Sequence, residues 1–236
     1  DLLLSQGQWS LDGRAVQPAE QAVLRAALET GALCNNAEWH PAEAGAKAVG
    51  DPMEIALLAA AASAGIERPT LLEAWPELRE EAFDPEHMRM ATYHQGPDGL
   101  RLAVKGAPEA VLAICTRVMT AAGEQPLDDA GRAAWLARNE ALASEGLRIL
   151  ALAARSAASI DEPAYKGLVM LGLVALLDPP RADVADAIAE CRAAGIRVVM
   201  LTGDQPVTAA YIARAVGLSD GDQLPPVLTG RDIRPA

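Results

Sequence analysis

Phenylalanine occurs once in these 236 residues, at Phe83, and lysine three times, at Lys47, Lys105 and Lys166, although the chain has 20 basic residues. Cysteine is equally scarce. Cys34, Cys115 and Cys191 stand far apart in apolar patterns, which excludes a zinc spacing and a disulfide framework and points to a reducing compartment. Positive charge is in deficit: a formal net charge of -12 argues against a groove that tracks phosphates, so nucleic acid is not an expected partner. No apolar run reaches the ~18 residues of a spanning helix. The longest, Leu168 to Leu177, is punctuated by Gly172 and ended by Pro179, so the chain is expected to be soluble as it stands. Its amino terminus has no basic patch leading into an apolar core, so no signal peptide is expected, and the opening DLLLSQGQW reads as the middle of a longer protein. His40, His87 and His94 show no ligand spacing, and no metal site is assigned. Neither G-x-x-x-x-G-K-[ST] nor G-x-G-x-x-G occurs, which removes the signatures of the two common nucleotide folds.

What is present falls into three regimes. Apolar residues recur at helical spacing from Pro18 to Cys34, and Asn35-Asn36 ends that run. Asp51, Pro52 and Glu54 then give a cap, a first-turn proline and a capping-box acid ahead of an alanine-rich helix that Gly65 stops. From Phe83 onward, MRMATYHQ, the turn GPDG and LRLAVK read as a hairpin, followed by a helix over GAPEAVLAICTRV, another from Asp129 to Glu145, and the strand LRILALAAR. The last regime alternates strand Leu168 to Leu177, helix DVADAIAECRAAG, strand IRVVML and helix PVTAAYIARAVG, the pattern of a parallel sheet.

Chemistry-bearing residues cluster at the joints. Lys105 sits where a strand meets a glycine turn and a helix start, a place suited to an anion, although a solvated strand-end charge is the plainer reading. Phe83 is either core material or a stacking platform for a base. Glu54 suits a capping box in which its side chain reaches back to the backbone of Asp51. Arg148 and Arg181 follow turns, as surface charges or phosphate partners. Thr202, Gly203 and Asp204 form the turn after IRVVML, where open α/β sheets place ligands; capping the next helix is the plainer role for Asp204.

In family order, the segments GDPMEIALL, FDPEHMRMA, KGAPE, GLRILALA, DPPR and MLTGDQPVTAAYIARAVGL resemble the cytoplasmic catalytic region of P-type cation-transporting ATPases, nearest the calcium-pump-like group. The resemblance spans nearly the whole chain. It implies an α+β nucleotide-binding domain over residues 1–177, an antiparallel sheet flanked by helices, then an incomplete α/β phosphorylation domain of haloacid dehalogenase type over 178–236. It further implies ATP as ligand, with Phe83 stacking on adenine, Glu54 near its amino edge, Lys105 and Gly106 lining the pocket, and Arg148 facing the phosphates. Asp178, Arg181, Thr202, Gly203 and Asp204 would form the phosphate-side surface. Met53 stands where the family usually has threonine, and Met88 where it has lysine; Arg89 is a candidate to supply that charge.

The family's acceptor DKTGT and magnesium-binding GDGVNDAP segments do not occur in the 236 residues, so no catalytic residue is assigned and the chain alone is expected to bind ATP without turnover. Magnesium and the remaining phosphorylation, actuator and transmembrane parts are implied for the whole pump, at the cytoplasmic face of a membrane. Two rivals are a regulatory module that has lost nucleotide binding and a cap-bearing dehalogenase-type phosphatase. Without the acceptor strand, IRVVML is expected to present an exposed edge.

Overall fold

The computed structural model describes residues 2–5, 8–12, 14–39, 48–176, 181, 183–202, 206–219, 227–229 and 232. The chain divides into two compact units, Asp1–Leu136 with Leu150–Val174, and Ala137–Ile149 with Ala175–Ala236.

The first unit opens with a small antiparallel meander of β1 (Leu2–Ser5), β2 (Gln8–Leu11) and β3 (Arg14–Ala15), then helices α1 (Ala22–Leu33), α2 (Pro52–Ser63) and α3 (Arg68–Ala74). Helix α2 starts as its residues dictate: Asp51 accepts hydrogen bonds from the backbone N–H of Met53 at 2.9 Å and Glu54 at 3.3 Å, and Pro52 occupies the first turn. There follow β4 (Glu77–Asp84), β5 (Arg89–Gly96), β6 (Gly99–Gly106), the short α4 (Pro108–Leu112), β7 (Cys115–Thr120), β8 (Gly123–Pro126), α5 (Asp129–Ser144), β9 (Arg148–Ala157) and β10 (Leu168–Leu176). These strands form one sheet in the order β4-β5-β6-β9-β10-β7-β8. Pairing is antiparallel from β4 to β9 and between β7 and β8, and parallel between β10 and β7. The β5–β6 hairpin closes on Pro97-Asp98, with Gly96 opposite Gly99 and Gly99 at φ +111°, a conformation that glycine adopts without strain.

Strand alternation sends side chains to two buried faces. Ala91, Tyr93, Leu102, Val104, Ala153 and Met170 pack with Val111 and Leu112 of α4 on one side. Met90 and Ala103 meet Leu33 and Cys34 at the end of α1 on the other, where Leu152 also lies. Each fully buried leucine or valine contributes roughly 1.5–3 kcal/mol.

The fold is thus α+β with a mixed, mostly antiparallel sheet. Four readings change. Strand β4 was not expected, because ELREEAFD shows no apolar alternation; it is an edge strand, and edges carry charge to deter further pairing. The helix expected through Val118 stops at Leu112, and Cys115–Thr120, with β-branched Thr116, Val118 and Thr120, becomes a strand. Leu168–Leu176 belongs to the large sheet, between β9 and β7, rather than to a separate parallel sheet. The second unit holds α6 (Val184–Ala193) and α7 (Pro206–Ala215), but residues 196–202 carry no strand. They pair with no strand among the described residues, and Ile196, Val199 and Leu201 are left exposed.

Candidate functional site

At the carboxyl end of β6, the register sets Lys105 between Met90 of β5 and Leu152 of β9, both buried. An ammonium in that position needs a partner, since an unpaired buried charge is costly. Glu54, in the first turn of α2, supplies it: Lys105 Nζ donates to Glu54 Oε1. Only 8% of the lysine side chain and 14% of the glutamate side chain are exposed. The other carboxylate oxygen, Oε2, accepts from the backbone N–H of Asn36 at 3.2 Å. Glu54 therefore does not turn back to Asp51 as the capping-box pattern suggested, because the ammonium across the gap is the stronger partner.

The corner after α1 holds this arrangement in place. Asn35 is fully buried; its Nδ2 donates to the carbonyls of Gly31 and Glu54 at 3.1 and 3.0 Å, and its Oδ1 accepts from Ala37 N–H at 2.9 Å. Arg68 donates from Nε to the Ala32 carbonyl at 3.0 Å, satisfying a helix-end acceptor. Asn36 Nδ2 donates to Glu80 Oε1 of β4 at 3.0 Å, linking the corner to the edge strand. Asn35, Asn36 and Glu80 were not singled out from the sequence. The paired asparagines were the available signal, but they read only as a helix stop.

Phe83 lies on that edge strand three residues beyond Glu80 and is 57% exposed, so it is not core. The turn after it is built on Asp84, which accepts from Glu86 N–H at 2.8 Å, while Met88 N–H donates to the Asp84 carbonyl at 2.6 Å and His87 Nδ1 contacts Asp84 Oδ2. The His87 contact and the Glu86 amide hold the Asp84 carboxyl below the usual range. Met88 is exposed and sits at φ +50°, a left-handed conformation uncommon for a side chain of this size. The Arg89 guanidinium lies 4.4 Å from the Tyr165 ring centre and donates to the Ala110 carbonyl at 3.4 Å. A Cβ on Gly106 would fall 2.4 Å from the Met88 carbonyl oxygen, so only glycine permits this approach of strand to turn.

The structure thus brings Glu54, Lys105 and Gly106 into one corner and places Phe83 on the adjoining edge strand. Arg148 stands exposed at the start of β9, within the second unit by compactness. Arg181 is exposed and paired with Asp183, donating from Nε at 3.2 Å and from a terminal nitrogen at 2.8 Å. Thr202 is exposed in the loop after α6. Asp178, Gly203 and Asp204 lie outside the described residues.

Burial shifts two titratable groups of this unit. Burial pushes the Cys34 thiol up to about 11, and Cys34 Sγ donates to the Met90 carbonyl at 3.5 Å. Burial drives His94 down to about 4. Its Nδ1 faces the Trp75 carbonyl at 3.0 Å and so carries the proton, leaving Nε2 to accept from the Thr92 hydroxyl at 2.8 Å. Among the described residues, no three His, Cys, Asp or Glu side chains converge to hold a metal, and no single helix is long and apolar enough to cross a membrane. This end of the sheet therefore carries a buried ion pair, a glycine corner and, on the edge strand, an exposed ring.

Residues 23–183 match the family model described as P-type ATPase, cytoplasmic domain N. The chain is 40% identical over 231 residues to "Probable cation-transporting ATPase F" of Mycobacterium tuberculosis, an alignment covering 94% of this chain and 25% of that protein. It is 37% identical over 225 residues to "Sodium/potassium exporting P-type ATPase cta3" of Schizosaccharomyces pombe (92% and 21%) and 33% identical over 201 residues to "Calcium-transporting ATPase 1" of Bacillus cereus (84% and 22%). It spans about a quarter or less of the length of these relatives.

Proposed function

Because the chain belongs to the P-type ATPase family through its cytoplasmic domain N, we propose that its first unit is the ATP-binding part of a cation pump. The observation that supports this best is the inversion at the β4–β6 end of the sheet. One of three lysines is buried against a carboxylate while the single phenylalanine is left exposed. Buried ion pairs are seldom justified by stability alone, since apolar replacements are often as stable. Here the pair fixes a carboxylate at the corner that Asn36 links to the edge strand carrying the ring. The Phe83 ring stacks on adenine, Glu54 accepts from its exocyclic amine, and Lys105 and Gly106 line the pocket. Arg148 faces the phosphates, and Asp178, Arg181, Thr202, Gly203 and Asp204 of residues 178–236 form the phosphate-side surface of a dehalogenase-like phosphorylation domain.

Ring, amide and charge contacts hold the nucleotide on this chain, and magnesium, which takes one or two carboxylates beside the nucleotide's own phosphates, belongs to the whole pump. Tested alone, the 236-residue polypeptide is expected to bind ATP without hydrolysing it. In the pump, at the cytoplasmic face of a membrane, it works with the remaining phosphorylation, actuator and transmembrane parts. The ions in the relatives' names differ, so the reading stops at a cation.

Stacking with a few polar contacts is worth on the order of -4 to -6 kcal/mol, a dissociation constant between about 1 mM and tens of micromolar. Titration with ATP, following the amides of Gly106 and Phe83, checks it. Shifts saturating in that range are expected; unchanged spectra up to several millimolar would remove the proposal.

A further inference from the structure

We infer that Lys105 acts on the nucleotide only through Glu54: it is a positioning residue that fixes the base-reading carboxylate, and its charge is not available to the phosphates. This rests on the nucleotide reading above and refines the division of labour within that site. Three observations carry it. The Lys105 side chain is 8% exposed, enclosed by Met90 and Leu152 across the two neighbouring strands and by the Glu54 carboxylate. Its Nζ donates to Glu54 Oε1, so reaching an external phosphate would strand both charges in a largely apolar setting, which costs more than a hydrated phosphate contact returns. Glu54 is held from its other sides too: Asn36 N–H engages Oε2, and Asn35 Nδ2 engages the backbone carbonyl. A carboxylate pinned at both oxygens keeps free lone pairs in fixed directions, which is what recognition of an amine hydrogen requires.

Lys105 and Glu54 therefore form a neutral unit that selects the base, leaving the triphosphate to other charges. Wild-type chain titrated with ATP, adenosine and inosine defines the reference, since inosine has an acceptor oxygen where adenosine has the amine. In Lys105→Met, adenosine and ATP should weaken by the same factor, about tenfold, and the preference for adenosine over inosine should collapse, because Glu54 is no longer oriented. Lys105→Arg, which keeps the charge, should restore part of that preference; a merely structural loss would weaken all three ligands alike and leave it intact.

Loss of ATP affinity by about tenfold or more with adenosine unaffected would overturn the inference while leaving nucleotide binding standing. Retained discrimination in Lys105→Met would overturn it as well. A wild-type chain that binds none of the three overturns the nucleotide reading and this inference together. If Lys105→Met does not fold, the Glu54→Gln/Lys105→Met double variant, with a buried neutral pair, takes its place. That variant should bind ATP and adenosine with an unchanged affinity ratio, and a ratio shifted about tenfold against ATP would refute the assignment.

Discussion

The first unit buries one of its ion pairs, with Lys105 and Glu54 side chains 8% and 14% exposed, whereas the second leaves Arg181 and Asp183 together in solvent at 82% and 66%. The chemistry of the two contacts is the same, and the surroundings reverse their meaning. In water, an arginine and an aspartate two residues apart gain little and are screened by salt. Between two strands and a helix, each charge depends on the other, because neither can be hydrated if its partner goes. Arg181 loses little when Asp183 leaves it, but Lys105 cannot give up Glu54 so freely.

The sharpest way to break this contrast is Glu54→Ala, which leaves Lys105 buried without a carboxylate. A loss of about 3–5 kcal/mol is expected, measured by urea unfolding of the first unit. Next comes acid. His94 has its folded value near 4 against an ordinary 6.5, so the unfolded chain binds the extra proton first. Stability is complete above about 6.5 and falls as pH drops toward about 4, by up to about 3 kcal/mol. The pH slope of unfolding should flatten across that window in His94→Gln, whatever that variant's stability at neutral pH. Gly106→Ala should cost about 1–3 kcal/mol, since its methyl meets the Met88 carbonyl oxygen, and should move the Met88 and Arg89 amide resonances. Smallest of all, Arg181→Ala should change stability by no more than about 0.5 kcal/mol. A much larger loss there would erase the distinction between the two pairs.

Local chemistry was legible in the sequence and distant pairing was not. Asp51 and Pro52 announced α2, and GPDG announced the β5–β6 hairpin, because caps and tight turns are decided within a few residues. Glu54 was placed correctly on its helix and given the wrong local contact, since its strongest partner is 51 positions away. Two apolar runs, Leu168–Leu176 and residues 196–202, looked alike as strands. The first has β9 and β7 beside it and joins the sheet; the second has no neighbouring strand among the described residues and forms none. Periodicity supplies an apolar face, while a ladder needs a second backbone. Strand β4 was hidden for the opposite reason: its neighbour is present, but its own residues are charged.

The three cysteines turn this architecture into a clock. Cys34 and Cys115 are sealed in the first unit, with thiols pushed up to about 11 and about 12, and Cys191 is half-buried on α6 of the second. An alkylating reagent at neutral pH therefore meets Cys191 in the folded chain and the other two only when the first unit opens. The mass of the labelled chain over time reports the two units separately, and nucleotide that binds the first should slow only the second and third additions.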